Sequence, residues 1–412
     1  MDLTVLIFLL VYLAMGCGTL PGFKVDRTGA AIIGSLAMLV AGSITAQAAW
    51  NAIDYKTLGM LFGLMVVSAG FSVSGFYGWV AKRVTELPLS PPLLVGVMIV
   101  MGASFSAFLT KDVVAVAMTP LLVSVSLARG LNPVPFLLAF CFAVNTGSTA
   151  TLIGSPQNMI TAQQLGLSFN GFLKIAAIPA LLSLPIVWGV IVFAYRGRWE
   201  LKKSSTKGAD VSEATEIDVL ETIKTGLVAI VVIGFFVFSD LPRELVAMAG
   251  AGILLVSRKV SSKDMLKQVD GDLLLLIMGL FIVNAAIAGT GIPQDLLNHL
   301  REAGLNLNDP LSLLFVGGVL SNLVGNNPAV MLLVPYLHSG PDADALGAAL
   351  ALGTGFSSNM IVFGSLAGII VVEQAGARGI KISFMEFART GVIVMFLCMI
   401  VAASWIFVLT KF

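Results

Sequence analysis

The sequence predicts an all-α polytopic membrane protein built as an inverted repeat, each half holding about five transmembrane helices, a re-entrant hairpin and a discontinuous helix. Three observations carry that expectation. Hydrophobic residues make up 57% of the 412 and charged residues only 11%, with a mean hydropathy of +0.96, far outside the averages of soluble domains. The chain divides into roughly ten to twelve apolar segments near the ~20 residues that cross a bilayer. Polar, glycine-rich interruptions fall inside apolar runs at corresponding places in both halves, and internal repetition in a membrane protein is the signature of a secondary transporter.

Taken in order, the first-half segments run near 4–20, 29–47, 57–79, 91–108, 113–128, 133–165 and 172–195. Met1-Asp2 opens the chain without a basic run, which argues against a cleaved signal peptide and makes 4–20 the first span. Residues 196–222 are polar and charged, with no apolar run able to cross; they read as a cytoplasmic linker between a first repeat, 1–195, and a second, inverted repeat, 223–412. Second-half segments run near 223–239, 244–257, 273–290, 310–323, 328–338, 345–373 and 390–409. In each half one pair of segments, 91–128 and 310–338, reads as the hairpin, and charge counting is the same for a re-entrant hairpin as for two full spans, since either leaves the ends of the half where they are.

The two halves match residue by residue. Asp54, Gly63-Leu64 and Gly75 recur as Asp270, Gly279-Leu280 and Gly291 at one offset of 216, and Pro120 is answered by Pro335 at 215. Gly154-Ser155 is answered by Gly364-Ser365. Five crossings per half invert the second half, and charge placement agrees: a cytoplasmic linker puts eighteen Lys and Arg inside against five outside, with Lys111 left at membrane depth. Both termini are then extracytoplasmic, in what reads as a prokaryotic plasma (inner) membrane.

Composition removes several classes of function. A net charge of +1 without a basic, aromatic-interleaved patch gives no grip on nucleic acid. No HExxH, P-loop, Cys/His spacing or nucleophile elbow is present, so no enzyme is expected. Cys17, Cys141 and Cys398 are far apart and read as packing residues. His299 and His338 fall in predicted outer loops, and Glu373 reads as a snorkelling side chain. An ion channel is the alternative of another class, but its symmetry should come from oligomer rings rather than from within one chain.

Chemistry then falls to four polar interruptions. The first hairpin turns at Thr110-Lys111-Asp112, and its partner at Asn322, Gly325, Asn326 and Asn327. The first broken helix spans 145–158 and offers Asn145, Thr146, Gly147, Ser148, Thr149, Thr151, Gly154, Ser155 and Asn158. The second offers Thr354, Gly355, Ser357, Ser358, Asn359, Gly364 and Ser365. Non-helical backbone at membrane depth is tolerated only where protein buries it or it lines a wet cavity. Free N–H groups at such helix ends hold anions, and carbonyls hold cations. Gly147 and Gly355 are expected to serve irregular turns with positive φ. Lys111 and Asp112 are the most costly pair in the chain, since a charge at bilayer depth costs at least ~2.5 kcal/mol; they are either a coupling site or a neutralising salt bridge that shapes the hairpin.

At Thr110–Pro120 and Asn145–Asn158, with their repeats, the sequence resembles the ion transporter superfamily, which includes the arsenite efflux pumps, the citrate transporters and the divalent-anion/sodium symporters. The run Ala150-Thr151-Leu152-Ile153-Gly154-Ser155-Pro156-Gln157-Asn158 is similar to that family's motif after the first hairpin, and Asn326-Asn327-Pro328 to the second hairpin of the arsenite pumps. The resemblance implies that substrate and coupling cation bind between hairpin tips and breaks. It also marks a departure: counted from the following proline, Thr110-Lys111-Asp112 replaces the symporters' Ser-Asn-Thr, so that Lys111 stands where a sodium ion would be held. Asp112 is acidic like the corresponding position of the arsenite pumps.

The expected function is secondary active transport of a small anion or oxyanion, either a carboxylate such as citrate or arsenite/antimonite, coupled to a proton or sodium gradient by alternating access. A cation exchanger of the Na+/H+ antiporter type is the alternative. No arginine fork stands at the site for a carboxylate, which favours a small or weakly charged substrate. No cofactor is expected beyond a bound sodium ion or proton. The partners are the substrate and the lipid bilayer, and a homodimer is compatible with the sequence.

Overall fold

A computed structural model describes residues 3–201 and 216–411, and among them every regular element is helical. In chain order these are α1 (Leu3–Cys17), α2 (Arg27–Val40), α3 (Ala46–Ala52), α4 (Tyr55–Val73), α5 (Phe76–Glu86), α6 (Pro91–Phe108), α7 (Lys111–Ala128), α8 (Pro133–Ser148), α9 (Pro156–Leu165) and α10 (Phe169–Ala194). They are followed by α11 (Val219–Phe238), α12 (Arg243–Leu255), α13 (Ser262–Leu266), α14 (Gly271–Ala288), α15 (Ile292–Glu302), α16 (Pro310–Val324), α17 (Asn326–Leu333), α18 (Ala343–Ser357), α19 (Leu366–Ala377) and α20 (Phe384–Lys411). Most of the expected linker, 202–215, lies outside the described residues. Among the described residues seven helices are long and apolar enough to cross a membrane, the longest being α10 and α20.

The second ten helices repeat the first ten in order, and the matched residues do matched jobs. Asp54 caps α4 by accepting from Lys56 N and Thr57 N, and Asp270 caps α14 by accepting from Leu273 N, each satisfying backbone donors that a helix start leaves free. Gly75 (φ 75°) and Gly291 (φ 77°) turn the chain through the left-handed region into α5 and α15, a conformation that glycine adopts without steric cost. Short helices α3, α5, α13 and α15 were not among the expected apolar segments. His299 lies on α15 rather than in a loop, still exposed.

Two parallel helix pairs frame the molecule, each joining one half to the other. In the pair α2/α14, Gly279 lies against Ala31 so closely that a Cβ would stand 2.9 Å from its carbonyl carbon. Further along the same pair, a Cβ on Gly34 would stand 3.7 Å from Val283. In the pair α4/α12, a Cβ on Gly63 would stand 2.5 Å from the carbonyl carbon of Ala247. Gly63 and Gly279 are among the residues that recur in sequence, and each admits a neighbouring backbone as small residues do between membrane helices.

Within this frame α6 and α7 form a hairpin whose turn reaches only as deep as the break between α8 and α9, where Lys111 N donates to Gly154 O at 3.1 Å. Past that level the chain continues as the ten-residue α9. The breaks are narrower than expected. Asn145–Ser148 stay helical at the end of α8, as do Thr354–Ser357 in α18, and the irregular backbone is confined to 149–155 and 358–365, the latter with a 3-10 turn at Val362–Gly364. Neither Gly147 nor Gly355 has positive φ. Both are required by close approach instead: a Cβ on Gly147 would stand 2.4 Å from Ala103 Cα on α6, and one on Gly355 2.0 Å from Thr149 Cγ2 in the opposite break.

Candidate functional site

Hairpin tips and breaks meet, and the side chain at the centre is Asn326. Gly325 (φ 91°) makes the one-residue turn that delivers it to the start of α17. The Asn326 amide, oriented with its oxygen toward donors and its nitrogen toward acceptors, accepts from Lys111 Nζ at 3.2 Å and Gln157 Nε2 at 3.3 Å, and donates to Gly364 O at 2.9 Å. One residue thus ties its own half's break to the tip and break of the other half. Ser321 and Ser358 hydroxyls complete its surroundings.

A second bridge joins the broken helices directly. Asn145 Nδ2 donates to Asn359 Oδ1 at 3.2 Å, and Asn359 Nδ2 donates to Thr146 Oγ1 at 3.2 Å. Asn158 folds back across the first break, donating to Ser148 O at 2.9 Å and Thr151 O at 2.8 Å, while Thr151 Oγ1 donates to Ala107 O near the tip of α6. In the second half Asn322 donates to Gly318 O and Ser357 O. At the first break Asn158 thereby satisfies carbonyls that the interrupted helix leaves free, as burial demands.

Both hairpins are braced by residues that the sequence reading missed. Ser68 Oγ accepts from Thr110 N at 3.0 Å. Asn284, 216 residues later, donates to Met331 O at 3.2 Å and accepts from Tyr12 Oη at 2.8 Å. The repeat offset was the signal that pairs Ser68 with Asn284.

Lys111 and Asp112 are both buried, 2% and 7% exposed, yet they form no salt bridge. Among the described residues the ion pairs within 4 Å are Arg83–Glu86, Lys224–Glu221, Lys259–Asp218 and Lys267–Asp264. Consecutive helical residues point in different directions, and Lys111 turns to Asn326 while Asp112 Oδ1 has no hydrogen-bond partner. Other buried oxygens of the tips and breaks also lack a hydrogen-bond partner: Asn145 Oδ1, Asn158 Oδ1, Asn327 Oδ1, Thr110 Oγ1 and Ser155 Oγ.

A cavity of about 540 Å³ leads to the tips. Lys111, Asp112, Gly325, Asn326, Asn327 and Ser365 line it, joined by Gln157, and toward its mouth by Arg27, Asp26, Asp270, Asp272 and Glu373. Cys17, expected to be a packing residue, is exposed there, whereas Cys141 and Cys398 are buried. Asp112 also lines a second, smaller cavity of about 190 Å³ beside Thr110 and Lys267. The remaining expected positions stand behind this surface. Ser148, Thr149, Thr354 and Ser357 spend their hydroxyls on carbonyls of their own segments, a local bonding habit of Ser and Thr in helices. Gly147, Gly154, Gly355 and Gly364 serve close packing.

Comparison with known proteins places this architecture. The family described as "Citrate transporter" matches residues 9–355. A 46 kDa membrane protein of Mycobacterium leprae is 30% identical over 400 residues, covering 90% of this chain and 91% of the relative. The arsenical pump membrane protein of Escherichia coli K12 is 25% identical, covering 88% and 89%. Among solved structures, the Alcanivorax borkumensis YdaH transporter superposes with a TM-score of 0.58 at 14% identity, covering 98% of this chain and 97% of that one; it shows the shared fold. The chain is an integral membrane transporter and belongs to the citrate transporter family, with an arsenical pump protein among its relatives.

Proposed function

We propose that the protein is a secondary active transporter of a small anion or oxyanion, working by alternating access around the site where the hairpin tips meet, with residues 1–195 and 223–412 as inverted repeats. The observation that carries this is the Lys111–Asn326 contact of 3.2 Å on the wall of the cavity: it joins both halves at one point. Lys111 Nζ, the amides of Gln157 and Asn327, and backbone at the breaks supply donors suited to an oxyanion. With no arginine lining the inner part of the cavity, a small or partly protonated species such as arsenite fits this donor set better than a fully ionised tricarboxylate, which is best held by Arg forks. The cavity mouth carries Arg27, on the side that charge counting makes cytoplasmic.

Coupling to a cation or proton is supported by the unpaired acceptors. Buried oxygens of Asp112, Asn145, Asn158 and Asn327 have no donor, and leaving such groups unmatched costs about 1–3 kcal/mol each. Bound positive charge would offset that cost, which also keeps a cation exchanger as the second reading. The test is ligand protection in reconstituted vesicles. Arsenite, antimonite, citrate and dicarboxylates are offered in turn, and labelling of Asn327→Cys in a Cys17→Ser background and counterflow by the parental protein are measured. A species that both slows labelling and exchanges across the membrane is the substrate; labelling and counterflow indifferent to all of them would sink this reading.

A further inference from the structure

The repeat lets one face of the molecule be compared with the other, and the two faces differ. Helices α2 and α14 run side by side away from the cavity mouth, and the far end of α2 feeds α3 and then Asp54. Asp54 therefore sits on the face opposite the mouth. There Gln164 Nε2, on the last turn of α9, donates to Asp54 Oδ2 at 2.8 Å. Arg243, at the start of α12, donates to Leu167 O just beyond α9. Two polar bonds thus clamp the end of α9 to the pair α4/α12.

Each of these groups has a counterpart at the mouth. Asp270 answers Asp54 and Arg27 answers Arg243, both at an offset of 216. Ser155 and Ser365 start α9 and α19 with the same backbone geometry, φ −153°, ψ 152° and φ −147°, ψ 152°. Gln164 and Gln374 each follow nine residues later, 164 − 155 and 374 − 365, and so occupy the same turn and side of matching helices. Yet the second set is disengaged. Gln374 Oε1 accepts from Arg378 Nη1 at 3.1 Å on its own helix, and Arg27 Nε donates to Met15 O at 2.9 Å at the end of α1. The cavity lies between Arg27, Asp270 and Asp272 on one wall and Ile369 and Glu373 of α19 on the other.

We infer that Asp54–Gln164 and Arg243–Leu167 are a latch that holds one face shut, and that Asp270, Gln374 and Arg27 form its counterpart, engaging when the cavity closes. The exchange of one latch for the other rests on the alternating-access reading. It gives that reading the differential contacts that a two-state equilibrium needs. Breaking the engaged latch must favour the state in which the cavity is closed, and breaking its counterpart must oppose that shift.

The test reads the cavity directly. In a Cys17→Ser background, Leu276→Cys places a thiol on the α14 wall of the cavity, and its rate of modification by a maleimide is measured in membranes. Gln164→Leu is expected to slow labelling about three- to tenfold, the population change from losing one hydrogen bond to a carboxylate at a partly exposed site. Gln164→Glu, which keeps the side chain's length and sets it against Asp54, should slow it likewise. Adding Gln374→Leu to Gln164→Leu should restore the parental rate. No slowing with either residue-164 variant, or slowing that Gln374→Leu does not reverse, overturns the latch. Labelling needs no substrate, so an absence of transport would leave the latch standing, and normal uphill transport with indifferent labelling would remove the latch alone.

Discussion

Gly355→Ala tests whether the two broken helices must touch. Gly355 is helical, and its backbone needs no glycine; by propensity alone the alanine should stabilise α18 by about 1 kcal/mol. Space decides the sign. The new Cβ would stand 2.0 Å from Thr149 Cγ2 and 3.5 Å from Asn145 O, so either Thr149 turns or the breaks separate. Thr149 is fully buried and its hydroxyl is committed to Thr146 O at 2.7 Å, which leaves separation of the breaks. Overpacking of this kind costs about 1–3 kcal/mol, and the bridge most exposed to it is Asn145–Asn359, already at 3.2 Å. Thr149→Ser removes the offending methyl and keeps the hydroxyl, at a cost of about 1 kcal/mol for a buried methyl. We expect Gly355→Ala to lower the melting temperature in detergent and to abolish transport in vesicles. The Gly355→Ala/Thr149→Ser double variant should recover both, with a coupling of about 1–2 kcal/mol between the sites. A double variant that is simply the sum of its parts would refute the argument that contact across the breaks constrains Gly355.

Three further outcomes follow. Gly147→Ala meets the Ala103 backbone at 2.4 Å rather than a removable methyl, so it should destabilise by about 1–3 kcal/mol with no side-chain rescue, whereas Gly234→Ala, with nothing within 4 Å, should be neutral or stabilising in the same melting assay. Because Lys111 and Asp112 form no ion pair and Lys111 holds Asn326 instead, Lys111→Met/Asp112→Leu should be as inactive in uptake as Lys111→Met alone; a double variant that pumps normally would remove both charges from the mechanism. Cysteines near Lys203 and His338 should label from opposite sides of the membrane, and labelling of both from one side would remove the inverted arrangement.

Much of the frame was legible in the sequence because a few residues do one job each. Asp54 and Asp270 are helix caps, Gly75 and Gly291 are left-handed turns, and Gly63 and Gly279 are contact points; such roles survive in a repeat. The breaks were placed correctly but drawn too wide. Asn145, Thr146, Gly147 and Ser148 are weak helix formers, and propensity is overridden by packing on α6 and by the Asn145–Asn359 bridge. Which hydroxyls face the cavity depends on rotamers: Ser148 and Thr354 bond backward along their helices. The partner of Lys111 was invisible for a different reason, since Asn326 lies 215 residues away and the adjacent Asp112 offered the obvious counter-charge.

The central claim, movement against a gradient through one site shared by both halves, is tested most directly by accumulation in sealed vesicles carrying the purified protein. Arsenite or citrate is presented at equal concentration on both sides, and a proton or a sodium gradient is imposed in turn. The account predicts internal concentration above external with one of these gradients, lost on adding the matching ionophore and lost in Lys111→Met. Flux that only runs downhill, whatever gradient is imposed, would contradict it.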